Sequence, residues 1–360
     1  MRSLATAHGP LALPAFLPDA TKGVVRTVDV QDLRAVGVEA ICVNTWHLAR
    51  EPGTRAVERL GGVHRFTGWD GPVLSDSGGF QILSLIESGS FAGSASAKGL
   101  RFKSRGGESE LLTPEKCIRW QAKLGADLLV CLDHCTRPEQ PADAQRASVE
   151  HTVRWAAECR AERDRIAEEC GRELPLFAVV QGGDDPALRR ECAARLLELK
   201  FDGYAFGGWP VASDGSLAES VALVAGLAPR EKPLWGLGIG RPENLVAAAR
   251  LGYSLFDCVL PTRDARHGRL YARTRGPAAP TNESSWYDHV HLGDAKHAVD
   301  SAPIEPGCPC PACSRHSRGY LHHLWQVKDP LVLRLSTLHN LSFYSRLIAE
   351  LRAAAAAASP

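Results

Sequence analysis

Two aspartates follow short apolar runs and could together break a glycosidic bond. Asp76 lies in LSDSGGFQ, and Asp257 lies in FDCVLPTR. In such chemistry one carboxylate attacks the anomeric carbon, while the other handles the proton of the leaving group. Asp133, which follows the apolar run LLVCL, is a third candidate. A single aspartate more often caps a turn or a helix, so the hypothesis requires that these acids meet at one site.

A cluster of cysteines predicts a zinc site. Three of the eleven cysteines lie within six residues, namely Cys308, Cys310 and Cys313. Structural zinc takes four ligands, and the histidines downstream are His316, His322, His323 and His339. We favour His339, because His316 is too close to the loop to fold back and the other two lie in a helical run. Four protein ligands leave no position for water, so we predict that this Zn²⁺ is structural.

A basic strip begins six residues after Asp257. It consists of Arg263, Arg266, His267, Arg269, Arg273 and Arg275. The formal net charge of the chain is only +1, so a polyanion would have to bind a local patch of this kind. We predict phosphate contacts from Arg263, Arg266, Arg269 and Arg273. A solvated surface loop is the alternative interpretation.

Short apolar segments alternate with longer helical segments, and these elements must position the candidate residues. The predicted strands are 39–45, 71–77, 126–133, 175–183, 203–208, 233–240 and 254–260, with 14–20 as an eighth. The predicted helices are 113–125, 148–171, 186–200 and 242–252, the first capped by Thr113 with Pro114 at its first position. Strict alternation predicts a parallel sheet, and this number of units favours a closed (β/α)8 TIM barrel over an open sheet. The carboxyl ends of the strands then meet at one mouth.

The fold class is therefore α/β, with a single barrel domain over residues 1–360. The segment 264–312 interrupts the alternation, and we expect an inserted zinc-binding subdomain at about 264–345. The other cysteines are scattered, as is typical of reduced thiols, and the chain has no run of 18 apolar residues. We therefore expect a cytoplasmic protein without a membrane span. The alanine-rich stretch Ala353–Ala358 is expected to fray.

One glycine-rich segment offers a different interpretation. Gly236-x-Gly238-x-x-Arg241 follows an apolar run and precedes a helix, and Asp257 comes nineteen residues after Gly238. The pattern resembles a dinucleotide-binding fingerprint, which would indicate a nicotinamide dehydrogenase. It lacks the third glycine of that motif and lies late in the chain, so the dehydrogenase is a distant alternative.

The chain as a whole resembles the tRNA-guanine transglycosylase family, from about residue 8 to about residue 347. The resemblance is carried by NTWHLAREPG (44–53), FTGWDGPVLSDSGGFQ (66–81), FKSRGGESELLTPE (102–115), LDHCT (132–136), VVQGG (179–183), GYAFGG (203–208), GLGIGRPENL (236–245), FDCVLPTR (256–263), the CxCxxC loop and LHNLSFY (338–344). It implies a (β/α)8 barrel with a zinc subdomain, in a homodimer. It also implies that guanine at the wobble position of a tRNA anticodon is exchanged for a 7-deazaguanine without cutting the strand.

The resemblance further implies roles for individual residues. Asp257 matches the nucleophile that attacks the ribose, and Asp76 matches the residue that gives a proton to the leaving base and later takes one from the incoming base. The residues implied to bind the base are Phe80, Asp133, Gln181, Gly207 and Gly208. Arg263 and Arg266 match residues near the ribose and the phosphates of the RNA. The implied zinc ligands are Cys308, Cys310, Cys313 and His339, and the implied dimer patch includes Tyr320 and His323.

The chain departs from the family beside the base pocket. Trp209-Pro210-Val211-Ala212-Ser213 stands where bacterial relatives usually have Leu-Ala-Val-Gly-Glu, and His134 stands in place of an acid. The loss of a carboxylate at Ser213 removes a partner for a cationic substituent on the base. Cys135 and Val211 match a smaller pocket, which favours 7-aminomethyl-7-deazaguanine, with queuine as the alternative.

Two other functions are weighed against this one. A non-catalytic subunit would bind RNA and dimerise with an active homologue, but such a subunit would be free to lose Asp76, Asp133 and Asp257, which are all present. A related enzyme would insert a deazaguanine into DNA. The zinc loop and the basic strip favour RNA over DNA.

Overall fold

The computed structural model describes residues 2–104, 106–274 and 286–357, so Arg275 of the basic strip lies outside the described residues. The strands are β1 (Ser3–Leu4), β2 (Leu11–Ala12), β3 (Ala15–Pro18), β4 (Ile41–Asn44), β5 (Val73–Asp76), β6 (Phe91–Ser96), β7 (Gly99–Ser104), β8 (Ser109–Leu112), β9 (Leu129–Val130), β10 (Leu176–Val180), β11 (Gly203–Phe206), β12 (Leu234–Leu237), β13 (Leu255–Cys258), β14 (Arg269–Arg273) and β15 (Tyr287–His291). The helices are α1 (Val30–Ala35), α2 (Thr45–Arg50), α3 (Thr54–Arg59), α4 (Gly62–Thr67), α5 (Gly79–Glu87), α6 (Pro114–Leu124), α7 (Ala142–Cys170), α8 (Pro186–Glu198), α9 (Glu219–Leu227), α10 (Pro242–Leu251), α11 (Leu260–Arg266), α12 (Pro311–Arg315), α13 (Arg318–Gln326) and α14 (Leu331–Ala357). A 3-10 turn covers Ala295–His297.

Eight parallel strands close into a barrel. Six of them hydrogen-bond in the order β3-β13-β12-β11-β10-β9, and β4 pairs with β5. Two single bridges, Asp19 with Cys42 and Leu74 with Leu128, join these two groups at both edges. The predicted (β/α)8 TIM barrel is therefore confirmed, and 14–20 does contain its first strand.

The barrel interior is filled by alternate residues of each strand, because successive side chains of a strand point to opposite faces. On β3 the inward positions are Ala15 and Leu17, and on β10 they are Phe177 and Val179. The other members of this buried cluster include Cys42, Leu74, Leu128, Val130, Ala205, Trp235 and Leu255. The next inward position on each strand therefore opens at the carboxyl-terminal mouth.

The helices between the strands begin where the sequence predicts. The side chain of Thr113 accepts a hydrogen bond from the Lys116 amide, and Pro114 is the first residue of α6. Asp185 caps α8 in the same way, with Pro186 at its first position. The alanine-rich stretch that was expected to fray is helical through Ala357, the last residue that the structure describes.

Three antiparallel strands, β6 to β8, were not predicted from the sequence. They lie between α5 and α6 and include the glycine- and serine-rich segment Phe91–Ser96. The rings of Phe91 and Phe102 stack with centroids 5.9 Å apart and both contact Trp46. An aromatic contact between neighbouring strands therefore supports a sheet whose sequence carries little apolar alternation.

The long helix α14 connects the cysteine loop to the barrel. Asn340 donates hydrogen bonds to the carbonyls of Pro261 and Arg269, at 2.9 Å and 3.1 Å, and Tyr344 donates to the carbonyl of Gly240 at 2.6 Å. A separate apolar cluster surrounds the loop and includes Leu270, Leu292, Ile304, Cys308, Cys310, Leu321 and Leu335. Within the described residues, no helix is long and apolar enough to cross a membrane.

A buried aspartate stabilises one edge of the barrel at its amino-terminal end. Asp127 precedes β9, and its Oδ2 accepts a hydrogen bond of 2.8 Å from the Val73 amide of β5. His8 Nδ1 lies 2.7 Å from its Oδ1, and His64 Nε2 lies 3.2 Å from its Oδ2. Since β5 and β9 share only the single bridge described above, this carboxylate reinforces one of the two sparsely paired junctions of the cylinder.

We expect Asp127→Ala to destabilise the protein by about 3 kcal/mol, because it leaves the buried Val73 amide and the His8 imidazole without their acceptor and leaves His64 only the Gly71 carbonyl. The measurement is the midpoint of urea unfolding, compared with Asp143→Ala at an exposed position of α7. Equal midpoints for the two variants would contradict the role assigned to Asp127.

Candidate active site and metal centre

The predicted site residues meet at the carboxyl-terminal mouth of the barrel. Asp76 ends β5 and Asp257 lies near the end of β13, each two residues beyond an inward core residue. Gln181 and Gly207 follow β10 and β11 in the same way, and Asp133 follows β9, three residues after the inward-facing Val130. Residues that are up to 181 positions apart in the chain are thus brought together by the strand order.

Asp257 is held by two donors that approach the same carboxylate oxygen. Trp235 Nε1 donates to its Oδ1 at 2.9 Å, and the Gly238 amide donates to the same atom at 3.3 Å. Burial and, to a smaller extent, the nearby Asp76 carboxylate together raise the pKa of Asp257 to about 7. The glycine-rich turn that resembles a dinucleotide fingerprint therefore binds a carboxylate of its own chain.

Asp76 is held by a different set of donors. Its Oδ2 accepts hydrogen bonds from Asn44 Nδ2 at 3.0 Å and from Gln81 Nε2 at 2.9 Å, while the Gly78 amide lies 3.3 Å from its Oδ1. Burial raises the pKa of Asp76, although these hydrogen bonds oppose the shift. Two carboxyl groups with shifted pKa values and separate partners can share the roles of nucleophile and proton carrier.

Asp133 and Gln181 form a buried hydrogen-bonding pair beside these acids. Gln181 Nε2 donates to Asp133 Oδ2 at 2.6 Å, and Gln181 Oε1 is buried with no hydrogen-bond partner. Burial raises the pKa of Asp133 to about 7. A buried orphan acceptor beside a carboxyl group suits the amide-like edge of a purine, which offers donors to both.

The absence of a side chain at Gly207 keeps this pocket open. A Cβ there would lie 2.4 Å from Gln181 Nε2 and 2.6 Å from Val179 Cγ1. Gly208 has a φ of +99°, in the region that favours glycine. The paired glycines therefore let the backbone pass close to the pocket floor.

A buried arginine fixes the ends of β10 and β11. Arg189 is 1% exposed, and its guanidinium donates to the carbonyls of Val180, Gly183 and Gly207 at 2.6 Å, 2.8 Å and 2.9 Å. Burial lowers the pKa of Arg189 to about 10, so it stays charged at neutral pH. Because it orients two strand ends at once, it supports the pocket without lining the reaction centre.

The departures from the family lie at the rim and behind the pocket. Phe80 is 42% exposed, and its ring lies 5.3 Å from that of Trp209, which Arg137 covers at 5.0 Å. His134 stacks on His151, and burial lowers the pKa of His134 to about 4, so it is neutral at pH 7. The position where the resemblance implies an acid therefore contributes no charge here.

The four arginines predicted to contact phosphates differ in exposure and in whether they already form ion pairs. Arg263 is exposed on α11, and Arg266 is half-buried with its Nη1 lacking a hydrogen-bond partner. Arg269 lies 3.5 Å from Asp264, and Arg273 forms an ion pair of 2.8 Å with Glu350. Among the arginines of this strip that the structure describes, a phosphate could therefore reach Arg263 and Arg266 without breaking an ion pair.

The cysteine loop and α14 form a second site, away from the mouth. His339 Nδ1 lies 3.8 Å, 3.5 Å and 3.3 Å from the Sγ atoms of Cys308, Cys310 and Cys313. Ligands of one tetrahedral zinc ion are separated by about 3.5 Å, given its usual bond lengths. His339 Nε2 lies 2.6 Å from the Tyr271 carbonyl, which orients the other ring nitrogen toward the thiols. The four side chains can therefore hold a metal ion.

Sequence reasoning missed several residues that shape the mouth. Asn44, Gln81 and Trp235 hold the two aspartates, and only the fold reveals those partners. Nothing in the sequence predicts that Arg189 is buried, because a basic residue in a helix is usually exposed to solvent. Asp19 did give one, since it follows the apolar run of β3 as Asp76 and Asp257 follow theirs.

Comparison with known proteins gives one family over the whole chain. The family model described as Queuine tRNA-ribosyltransferase matches residues 1–359. The chain is 39% identical to the queuine tRNA-ribosyltransferase of Novosphingobium aromaticivorans over 354 residues, which cover 97% of this chain and 89% of that protein. It is also 39% identical to the proteins of the same name from Desulfosudis oleivorans and Solidesulfovibrio magneticus, with 98% of this chain covered and 88% and 89% of theirs.

We expect one metal ion per chain at the cysteine cluster, and Cys310→Ser should lose it together with thermal stability, because metal binding is coupled to folding. Metal analysis of purified protein and the melting temperature measure both effects. Cys170→Ser, at an exposed cysteine outside the cluster, is the control and should keep the metal. Purified wild type without metal would refute the site.

We expect Asp133→Asn to stabilise the fold more at pH 8 than at pH 5. Folding raises the pKa of Asp133 to about 7, so the folded state holds this proton more tightly than the unfolded state does. The stability from that proton is complete below the unfolded pKa of about 4 and is lost as the pH rises through about 7. Melting temperatures of variant and wild type at both pH values measure the difference, with Asp143→Asn as the exposed control. A difference that does not grow with pH would contradict the shift.

Proposed function

The chain belongs to the queuine tRNA-ribosyltransferase family, and we propose that it exchanges guanine in tRNA for a 7-deazaguanine through a covalent bond between Asp257 and the ribose. Members of the family are pentosyltransferases, and this chain is an enzyme of that class. The observation that carries the proposal is the meeting of Asp76 and Asp257 at one barrel mouth, each with its own hydrogen-bond donors.

In the first half of the proposed reaction, Asp257 attacks C1′ of the ribose. Both hydrogen bonds that Asp257 accepts from described residues go to Oδ1, which leaves Oδ2 for the attack. A bond between Oδ2 and C1′ forms, the bond between C1′ and the guanine nitrogen breaks, and the departing electron pair takes a proton from Asp76. The raised pKa of Asp76 supports this role, because burial favours its protonated form.

In the second half, the incoming base attacks C1′ and displaces Asp257. Asp76, now ionised, accepts the proton that the incoming base loses, so the enzyme returns to its starting state. Attack from the face that guanine left gives retention at C1′, as in retaining glycosidases with a base in place of water. The phosphodiester chain takes no part, and the RNA strand stays intact.

The proposed base pocket consists of Phe80, Asp133, Gln181, Gly207 and Gly208. The Asp133 carboxyl and the orphan Gln181 Oε1 accept hydrogen bonds from the purine-like edge, and Phe80 contacts its face. For the incoming base we favour 7-aminomethyl-7-deazaguanine, because Cys135 is buried beside Asp133 and keeps the pocket small. Queuine is the alternative, since Ser213 offers no carboxylate to an aminomethyl cation.

The remaining parts of the proposal concern the RNA, the metal and the assembly. We assign phosphate contacts to Arg263 and Arg266. We assign a structural Zn²⁺ to the cysteine cluster. The separate apolar cluster around the cysteine loop supports a zinc-binding subdomain of about residues 264–345. Tyr320 is 40% exposed, and with the exposed His323 it forms a surface on α13 suited to a homodimer. The non-catalytic alternative is disfavoured, because every acid of the mouth keeps its donors.

We expect Asp257→Asn to lower guanine exchange by at least about a thousandfold, because it removes the nucleophile. Wild type is incubated with tRNA and, in turn, labelled guanine, 7-aminomethyl-7-deazaguanine and queuine, and the nucleosides formed are identified by mass spectrometry. A covalent RNA adduct that survives denaturant should form with wild type and be absent from the variant. In wild type, kcat/KM should rise with pH as Asp257 ionises at about 7, and it should fall again once Asp76 has lost the proton that the leaving base needs.

Asp143→Asn serves as the matched control and should exchange guanine as wild type does. An Asp257→Asn protein that keeps full exchange would sink the covalent mechanism. A wild type that forms no exchanged nucleoside with any of the three bases would sink the proposed function itself.

A further inference from the structure

Besides Asp76, Asp133 and Asp257, a fourth carboxylate lies at the mouth, on the side opposite the base pocket. Asp19 lies one residue beyond β3, two positions after the inward-facing Leu17. Leu17 pairs with Asp257 of β13, and Asp19 itself bridges Cys42 of β4. Asp19 is therefore on the strand that separates the proposed nucleophile from the strands of Asn44 and Asp76.

The electrostatics agree with this placement. The charge of Asp19 raises the pKa of Asp76 and of Asp257, so all three carboxylates share one region of the mouth. Burial lowers the pKa of Arg266, and the charge of Asp19 opposes that shift, so Asp19 is an acid close to the arginine strip.

The carboxylate of Asp19 is oriented by its own loop. Its Oδ1 accepts hydrogen bonds from the amide of Thr21, at 3.1 Å, and from the Thr21 hydroxyl. Both bonds use the same oxygen, so the other oxygen is left to accept a hydrogen bond from a ligand. Asp19 is half-buried, which gives it access to the mouth.

The strand order defines which part of a nucleotide this oxygen would face. The base groups follow β9, β10 and β11, whereas β3 lies across the barrel from β10. A nucleotide with its base among those strands and its C1′ at Asp257 directs the rest of its sugar toward β3. In an internal nucleotide O3′ and O5′ are both esterified, so the 2′-hydroxyl is the only free donor on that sugar. A carboxylate attracts that donor and repels phosphates.

We propose that Asp19 accepts a hydrogen bond from the 2′-hydroxyl of the attacked nucleotide and thereby restricts the reaction to RNA. This inference rests on the proposed base exchange, and it makes Asp19 a specificity residue for ribose over deoxyribose. A site built to bind a hydroxyl discriminates strongly against an analogue that lacks it, because its own polar group is then left unpaired.

The test uses two stem-loop RNAs that differ only in one atom, with guanosine or 2′-deoxyguanosine at the target position. The kcat/KM for exchange of labelled guanine and the dissociation constant are measured for wild type, Asp19→Ala and Asp19→Asn, with Asp143→Asn as control. Wild type and the control should prefer the all-ribose substrate by about 10- to 100-fold. Asp19→Ala should react with both substrates at similar rates, within about threefold, because neither then has the hydrogen bond. Asp19→Asn, which keeps an acceptor oxygen, should fall between.

The decisive quantity is the ratio of kcat/KM for the guanosine RNA to kcat/KM for the 2′-deoxyguanosine RNA, and not either rate alone. An Asp19→Ala protein that keeps the wild-type ratio of kcat/KM for the two RNAs would overturn the inference, whatever its absolute rate. Asp19 would then influence only the charges of Asp76 and Asp257, and not the choice of sugar. If Asp19→Ala does not fold, the ratio of Asp19→Asn decides in the same way. A wild type that exchanges no base counts against the proposed function, and the ratio of dissociation constants for the two RNAs then decides the role of Asp19 separately.

Discussion

The alternation of side chains along eight closed strands is the constraint on which the rest of the molecule depends. The rows that fill the barrel with apolar side chains continue into the mouth, so Leu74 leads to Asp76 and Leu255 leads to Asp257. Each acid stands directly on an apolar layer, and burial raises the pKa of both. The core therefore places the acids and also sets their protonation, through the same packing.

Much of this arrangement follows from the sequence, because its signals are local. Apolar runs predicted all eight barrel strands, and Thr113 with Pro114 predicted the start of a helix. The acids after those runs were recognised because strand ends of a parallel barrel converge. The three cysteines signalled a metal site by spacing alone, and His339 followed by elimination of its neighbours.

The rest depends on tertiary contacts that no short segment contains. Arg189 is buried because three carbonyls from two strand ends surround it, and nothing in its helix indicates that. The strands β6 to β8 depend on the stacking of Phe91 and Phe102 across a sheet with few apolar residues. The closure between β5 and β9 depends on the side chain of Asp127, where backbone pairing is sparse. In each case a contact made by a side chain takes the place of regular backbone pairing. Such contacts join different parts of the chain, so no local pattern predicts them.

One tryptophan links the packing of the barrel to its chemistry. Trp235 is fully buried in the barrel interior, where its ring meets Phe177 edge to face, and its Nε1 donates to Asp257. The same side chain thus belongs to the structural core and to the support of the proposed nucleophile. A replacement that fills the same volume without an N–H group would keep the packing but remove one of the two donors to Asp257 Oδ1, leaving only the Gly238 amide. Core positions ordinarily tolerate exchange among large apolar residues, but at this position such an exchange would also remove a donor to the proposed nucleophile. The residue at the centre of the barrel is therefore constrained by the reaction as well as by packing.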